Sequence, residues 1–145
     1  MLFADIDDGD DTAVDLAVLI AAAADVCRKP LRHAVIPTTP DATHDDAAVE
    51  LAEAFHRGDD LILKLKCRDP GGARCEQDDL ELEIYRSGPD VNLMLAWSHQ
   101  PERPLLWQGQ HPVWMDAASG QRCAAPLDAA PLEALSRRLR ALLRP

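Results

Sequence analysis

Apolar positions along the chain follow two different periods, and the change falls near residue 60. Before it, Ala48, Leu51, Ala52 and Phe55 recur at i, i+3, i+4 and i+7. That is the single stripe of an amphipathic helix, predicted over about 43–57 with Gly58 as its stop. An earlier helix is predicted over about 12–27, opened by Asp10 or Asp11 as N-cap. Its apolar residues (Val14, Leu16, Val18, Leu19, Ile20 and the alanines at 21–24) run nearly all round, which predicts burial on more than one side. Short strands are read in MLFADI at the start and in HAVIPTT from His33, the latter stopped by Pro37 and Pro40.

From residue 61 the period is two. In LILKLKC, Leu61, Leu63, Leu65 and Cys67 share one face and Ile62, Lys64 and Lys66 the other. In LELEIYR, Leu80, Leu82 and Ile84 oppose Glu81, Glu83 and Tyr85. Antiparallel pairing of the two brings Lys and Glu onto a common face, worth about 0.2–1 kcal/mol per facing pair. The segment between them, RDPGGARCEQDD, reads as a polar, mobile loop. VNLMLAW is apolar on both faces, as a central strand is. In LLWQGQHPVWMD a two-residue type II′ turn at Gly109 and Gln110 is predicted, pairing Leu106 with Val113 and Leu105 with Trp114. One face then carries Leu105, Trp107, Pro112 and Trp114, and the other Leu106, Val113 and Met115. A short QRC strand and a last helix over about 131–143, with Leu132, Leu135, Leu139 and Leu142 on its stripe, complete the reading. The order is that of an α+β fold: an N-terminal β-α-β-α segment, an antiparallel meander of five to six strands, and a C-terminal helix packed on the sheet. The 145 residues are expected to form one domain.

Charge sharpens this picture. Residues 1–60 hold fourteen acidic and four basic side chains, and the remainder holds eleven of each, so the whole net charge of −10 sits in the N-terminal part. Nucleic-acid binding needs a basic stripe, and none of useful size is present; RRLR at 137–140 falls in the last turns of a helix, where cations favour the dipole. No apolar run reaches the roughly 18 residues of a membrane span, and the acidic start is unlike a secretory leader. A cytoplasmic protein with reduced thiols is expected, although Cys67 and Cys75 flank a loop and are spaced to pair under oxidation.

Candidate chemistry is sparse. The turn DIDDGDD resembles the opening of haloacid-dehalogenase phosphatases, D-x-D-x-T/V, at Asp5 and Asp7, with Gly9 where Thr or Val stands in that family. It is also similar to the calcium-binding opening of nucleoside hydrolases, with Asp8 in place of Pro. Each likeness spans under ten residues. They imply an alternative function, a divalent-metal-dependent hydrolase or phosphatase-like enzyme with Asp5 and Asp7 catalytic and Asp5, Asp7 and Asp11 on the metal. The simpler reading is a solvated acidic turn that caps a helix. His33, His44, His56, His99 and His111 lack metal spacing, and no nucleophile elbow or phosphate-binding glycine loop occurs. No cofactor is predicted.

The favoured reading is therefore a non-catalytic accessory, adaptor or regulatory domain acting through protein contact. Its candidate binding residues are Trp107, Trp114, Leu106, Val113 and Met115 on the hairpin, with Asp45, Asp46, Glu50 and Glu53 facing a basic partner surface. A homodimer through a sheet edge is a further expectation, and a ligand pocket around Trp97, Trp107 and Trp114 a third class. Calorimetric titration with Mg²⁺, Ca²⁺ and Mn²⁺ should show nothing tighter than about millimolar at the acidic turn, the weak end of oxygen-ligand sites. A micromolar, one-to-one isotherm abolished by Asp7→Asn would establish the metal enzyme instead.

Overall fold

A computed structural model describes residues 16–38, 51 and 53–144. Helix α1 (Leu16–Cys27) leads into strand β1 (Arg32–Pro37). A helix whose described residues are 51 and 53–57 precedes β2 (Leu61–Arg68). A 3-10 turn (Glu76–Asp78), β3 (Leu80–Ser87), β4 (Asp90–Trp97), β5 (Leu105–Gln108), β6 (Pro112–Met115) and α2 (Ala129–Leu143) follow. The six strands form one sheet in the order β1-β2-β3-β4-β5-β6, each antiparallel to the next. The α+β class and the meander agree with the sequence pattern. The expected first strand at 1–6 and the start of the helix at 43 lie outside the described residues.

Alternation sorts the sheet into two faces. Leu61, Leu63, Leu65, Leu80, Leu82, Ile84, Leu93, Leu95, Leu106 and Trp114 point to the side where the helices pack, and all are buried. Lys64 faces Glu81 directly across β2 and β3 on the opposite face, as the alternation implied. Strand β4 lies between β3 and β5, consistent with its apolar residues on both sides.

Helix α2 fits its stripe to the sheet through Leu132, Leu135, Leu139 and Leu143. Leu143 takes the place expected for Leu142, which is 51% exposed; the helix's advance of 3.6 residues per turn carries the stripe on by four residues at that step. Three polar side chains fix the helix's position as well. Glu133 accepts from the Trp114 indole on β6 (2.7 Å), Ser136 donates to Gln108 on β5 (2.8 Å), and Arg140 donates to the Val91 carbonyl on β4 (3.0 Å). Steps of three and four residues keep the trio on one helix face while the helix crosses three strands.

Helix α1 buries Leu16, Ile20, Ala23 and Ala24 and packs against α2 and β1. It is not buried all round. Val18, Leu19 and Val26 are exposed by 59%, 55% and 49%, because one face suffices for its contact with a two-layer core. The helix before β2 ends as expected at Gly58, where Gly58 N–H to Phe55 and Asp59 N–H to Ala54 make the paired bonds of a Schellman stop.

The final hairpin differs from its sequence reading by one residue. Gln108 pairs with Pro112, Trp107 with Val113, Leu106 with Trp114 and Leu105 with Met115, around a three-residue loop. A one-residue shift moves every side chain of the second strand to the other face, so Trp114 joins Leu106 in the core while Val113 and Met115 join Trp107 outside. The reason lies at Gly109. It is not among the positive-φ glycines, so it does not serve a type II′ turn; an added Cβ there would lie 2.6 Å from the Trp107 ring. The II′ geometry occurs instead between β3 and β4, where Gly88 (φ 62°) opens a two-residue turn joining Ser87 to Asp90. The loop at 69–79 is closed by internal bonds: Asp69 accepts from Ala73 N–H through its carboxylate (2.9 Å), and Arg68 bridges to Arg74.

Gly109→Ala should therefore cost about 1–3 kcal/mol by overpacking. The same change made in a Trp107→Ala background should cost far less, and chemical denaturation of the four proteins of that cycle measures the difference. Equal costs in both backgrounds would mean that Gly109 serves the backbone and not the ring.

Candidate functional site: an open sheet face beside a buried polar joint

The face of the sheet turned away from α1 and α2 has two sectors. On β2 and β3 it carries Lys64, Lys66, Glu81 and Glu83, with exposed Ile62 among them and exposed Ile36 of β1 beside Lys64. On β4, β5 and β6 it is apolar, with Met94, Leu105, Trp107, Val113 and Met115, all partly exposed. Trp107 stands opposite Met94 on one side and Val113 on the other. Its indole N–H donates to the Tyr85 hydroxyl at 2.5 Å, so the two aromatic side chains reach across β4. Asn92, which faces Tyr85 in the register, is left only 6% exposed. The face thus presents a preformed aromatic ridge with one polar tip satisfied.

A second concentration of chemistry lies where the C-terminal end of α1 meets the ends of β1, β2, β3 and β4. Arg28 is buried, and its Nη1 donates to His33 Nε2 (3.0 Å), Cys67 Sγ (3.2 Å) and the Asp78 carbonyl (3.1 Å). A guanidinium only donates, so His33 Nε2 must accept and the ring proton sits on Nδ1, which donates to Asp25 (2.9 Å). Asp25 also accepts from the His33 amide at 2.8 Å. Burial pushes the His33 imidazole below its ordinary pKa, against the pull of Asp25.

Asp79, with no exposed side-chain surface, completes the joint. It accepts from the Cys67 amide (2.8 Å) and from both ends of the Arg74 guanidinium (3.0 and 2.7 Å), with His99 Nε2 at 3.4 Å. Burial alone would raise its pKa, but the bonds from Arg74 and from Cys67 N–H outweigh that and hold the carboxyl below the ordinary range. Trp97 caps the cluster, with Arg28 and Arg103 guanidinium carbons 5.7 and 4.1 Å from its ring centre.

Cys67, His33 and Asp25 superficially have the composition of a nucleophile, base and orienter, but their geometry is otherwise. Arg28 stands between the thiol and the imidazole and occupies the nitrogen that would have to take the proton. Cys67 is fully buried, and that burial pushes its thiol up despite Arg28. A reactive cysteine needs the reverse, an accessible and acidified thiol. The joint ties α1 to the sheet.

Of the residues singled out from sequence, Trp107, Val113 and Met115 come together on the open face, while Trp114 and Leu106 are in the core. Glu53 is exposed; Asp45, Asp46 and Glu50, and likewise Asp5, Asp7 and Asp11, lie outside the described residues. His111 lines a shallow surface depression with Cys123, Trp114 and Arg122, and among the described residues no cluster of three metal-ligating side chains occurs. Also among the described residues, no helix is long and apolar enough to cross a membrane. The sequence reading missed Met94 and Tyr85 as members of the face, and Arg28, Asp25 and Asp79 entirely. Strand alternation carried the signal for the first two; nothing local marks the others.

The profile of a protein family described as a domain of unknown function (DUF8659) matches residues 17–142, most of the chain. No curated protein and no solved structure matches it.

The joint generates a pH dependence. The folded-state pKa of His33 is depressed, so the unfolded chain binds the proton more readily. Stability from this group is then full above about 6.5, the unfolded value, and is lost as pH falls from there toward the folded value. The slope should reach at most about 1.4 kcal/mol per pH unit. His33→Asn, which keeps a donor toward Asp25 but cannot titrate, should flatten the denaturation midpoint between about pH 7.5 and 5.5, the span bracketing the ordinary histidine pKa. An unchanged slope in that variant would assign the acid sensitivity elsewhere.

Proposed function

We propose that the chain, which belongs to the DUF8659 domain family, is a non-catalytic interaction domain with an accessory, adaptor or regulatory role, and that a protein partner docks on the open face of its sheet. The observation that carries this is the apolar sector of Met94, Leu105, Trp107, Val113 and Met115. Both long described helices pack on the other face, so nothing among the described residues covers it. A contiguous apolar face rimmed by charge is the usual mark of a contact site. Trp107 and Tyr85 are held by their mutual hydrogen bond, which lowers the ordering cost of binding.

The acidic N-terminal part would steer the encounter. With the net charge of −10 concentrated in residues 1–60, a partner with a basic surface is attracted over a Debye length, while nucleic acid is repelled. The cytoplasm is the proposed compartment, because Cys67 is used as a thiol: it donates to the Asp78 carbonyl and accepts from Arg28. Self-association into a homodimer through a sheet edge is the second reading and is resolved by sedimentation.

The test is quantitative capture from native lysate with wild-type protein and with Val113→Glu, whose side chain lies outside the core and should leave the fold intact. Truncating or charging a central contact typically costs about 2 kcal/mol or more, so captured partner should fall by roughly thirtyfold. Neutralising Asp45, Asp46, Glu50 and Glu53 together should slow association and leave dissociation nearly unchanged. A partner retained equally by the folded Val113→Glu protein would remove the open face from the proposal.

A further inference from the structure

Cys67 and Cys75 lie eight positions apart in sequence and face each other across the ribbon. Arg68 and Arg74 form an antiparallel bridge, and one residue outward from it antiparallel geometry sets Cys67 opposite Cys75. The Cys75 N–H donates to the Cys67 carbonyl at 2.9 Å, and on the inner side of the bridge the Asp69 N–H donates to Ala73 at 2.8 Å. Directly opposed residues point their side chains to the same side of the ribbon. Their Cα atoms at such a hydrogen-bonded position are about 5.5 Å apart, inside the about 4.4–6.8 Å that a disulfide spans.

The two thiols differ in a way that divides the labour between them. Cys75 is partly exposed, and its Sγ makes only a long contact, 3.7 Å, to the Ala73 carbonyl. Cys67 is fully buried, with Arg28 Nη1 at 3.2 Å from its sulfur. An oxidant from solvent reaches Cys75, and the buried Cys67 sulfur, directly across the ribbon, is held close enough to resolve the oxidised sulfur. Both cysteines are free thiols in the structure.

We propose that Cys67 and Cys75 are a reversible oxidation site, closing an intramolecular disulfide across the base of the 69–74 loop when the protein meets a peroxide. In the first step the Cys75 sulfur attacks the peroxide, the O–O bond breaks, one oxygen stays on the sulfur as a hydroxyl, and the other leaves as water carrying the Cys75 thiol proton. In the second, the Cys67 sulfur attacks that sulfenic acid, the S–O bond breaks, and hydroxide departs with the Cys67 thiol proton as a second water. Two thiols are oxidised and one peroxide is reduced. Thiol exchange with a reducing dithiol reverses the step.

Oxidation has a structural consequence at the joint. Once bonded, Cys67 has no S–H to donate to the Asp78 carbonyl, and its sulfur turns from Arg28 toward Cys75. The contact through which the end of α1 grips β2 is thereby weakened, while the strand end itself is cross-linked.

Trypsin makes the test direct, because Lys66, Arg68, Arg74 and Arg86 offer cleavage sites around and between the two cysteines. The full-length protein is treated with a small excess of hydrogen peroxide, alkylated to block residual thiols, digested and mapped without reduction. The expected product is residues 67–68 linked to residues 75–86, with Cys27 and Cys123 alkylated and the link abolished by dithiothreitol. Cys75→Ser, at a partly exposed position, should fold normally and give no linked peptide. Amide exchange in residues 24–33 should quicken in the oxidised wild type and not in the treated variant. Cys75 recovered as sulfinic acid or in an intermolecular dimer, with Cys67 alkylated once the protein is unfolded, would overturn the proposal. A link engaging Cys27 or Cys123 would do the same.

Discussion

A six-stranded antiparallel sheet has two faces to satisfy, and here both long helices serve the same one. Helix α2 decides the arrangement. Its Leu132, Leu135, Leu139 and Leu143 supply the apolar stripe, which on its own tolerates small rotations and slides of the helix. Glu133, Ser136 and Arg140 do not tolerate them, because each meets a specific polar group on a different strand. Losing one partner strands a buried donor or acceptor, at a cost of about 1–3 kcal/mol, which is comparable to the burial of a whole leucine. Apolar burial holds the helix down and the polar trio sets where it lies. Helix α1 packs beside it and buries Leu16, Ile20, Ala23 and Ala24.

The same division of labour recurs where α1 meets the sheet, with charge in place of neutral dipoles. Taking Arg28 out of water is expensive, and its contacts are two neutral side chains and a carbonyl rather than a directly bonded carboxylate. What makes it tolerable is that donor and acceptor roles interlock. His33 accepts on one nitrogen and donates on the other, Cys67 accepts and donates at sulfur, and Asp79 takes the Cys67 amide that lacks a strand neighbour. The cluster has one protonation state in which every role is filled. That single state ties the stability of the fold to pH through His33, and to the oxidation state of sulfur through Cys67.

Period and punctuation made much of this fold readable in advance. The alternation in LILKLKC and LELEIYR placed Lys and Glu on a common face, and Gly58 marked a helix stop, because both signals are local. The errors arose where a local signal had two physical readings. Gly109 next to Gln110 fits a type II′ turn, yet its hydrogen atom is needed as room for the Trp107 ring, and the hairpin register moved by one residue as a result. The apolar circumference of α1 suggested burial on several sides, and the helix buries only one. The polar joint was illegible for another reason. Asp25, Arg28, His33, Cys67 and Asp79 come from three strand ends on one side of the sheet and a helix end, and no spacing connects them before the meander closes.

The register shift matters most for what the open face is. With Trp114 turned inward, the hairpin has two tryptophans on opposite sides of the sheet, each with its indole N–H bonded, one to α2 and one to Tyr85. The inner tryptophan anchors the core helix. The outer one has a built hydrogen-bond partner, a glycine shaped to its ring and apolar neighbours on both flanking strands, although it covers no core. Ordering a large aromatic ring on a solvent-facing surface gains less for folding than burying it would. Such a pre-set ridge gains its full worth only when a second surface removes it from water. The face mixes Lys and Glu with exposed Ile62 on β2 and β3, and is apolar around Trp107 on β4, β5 and β6. On the proposed reading, a partner's apolar element would meet β4, β5 and β6, while its flank would meet the mixed charged and apolar surface of β2 and β3.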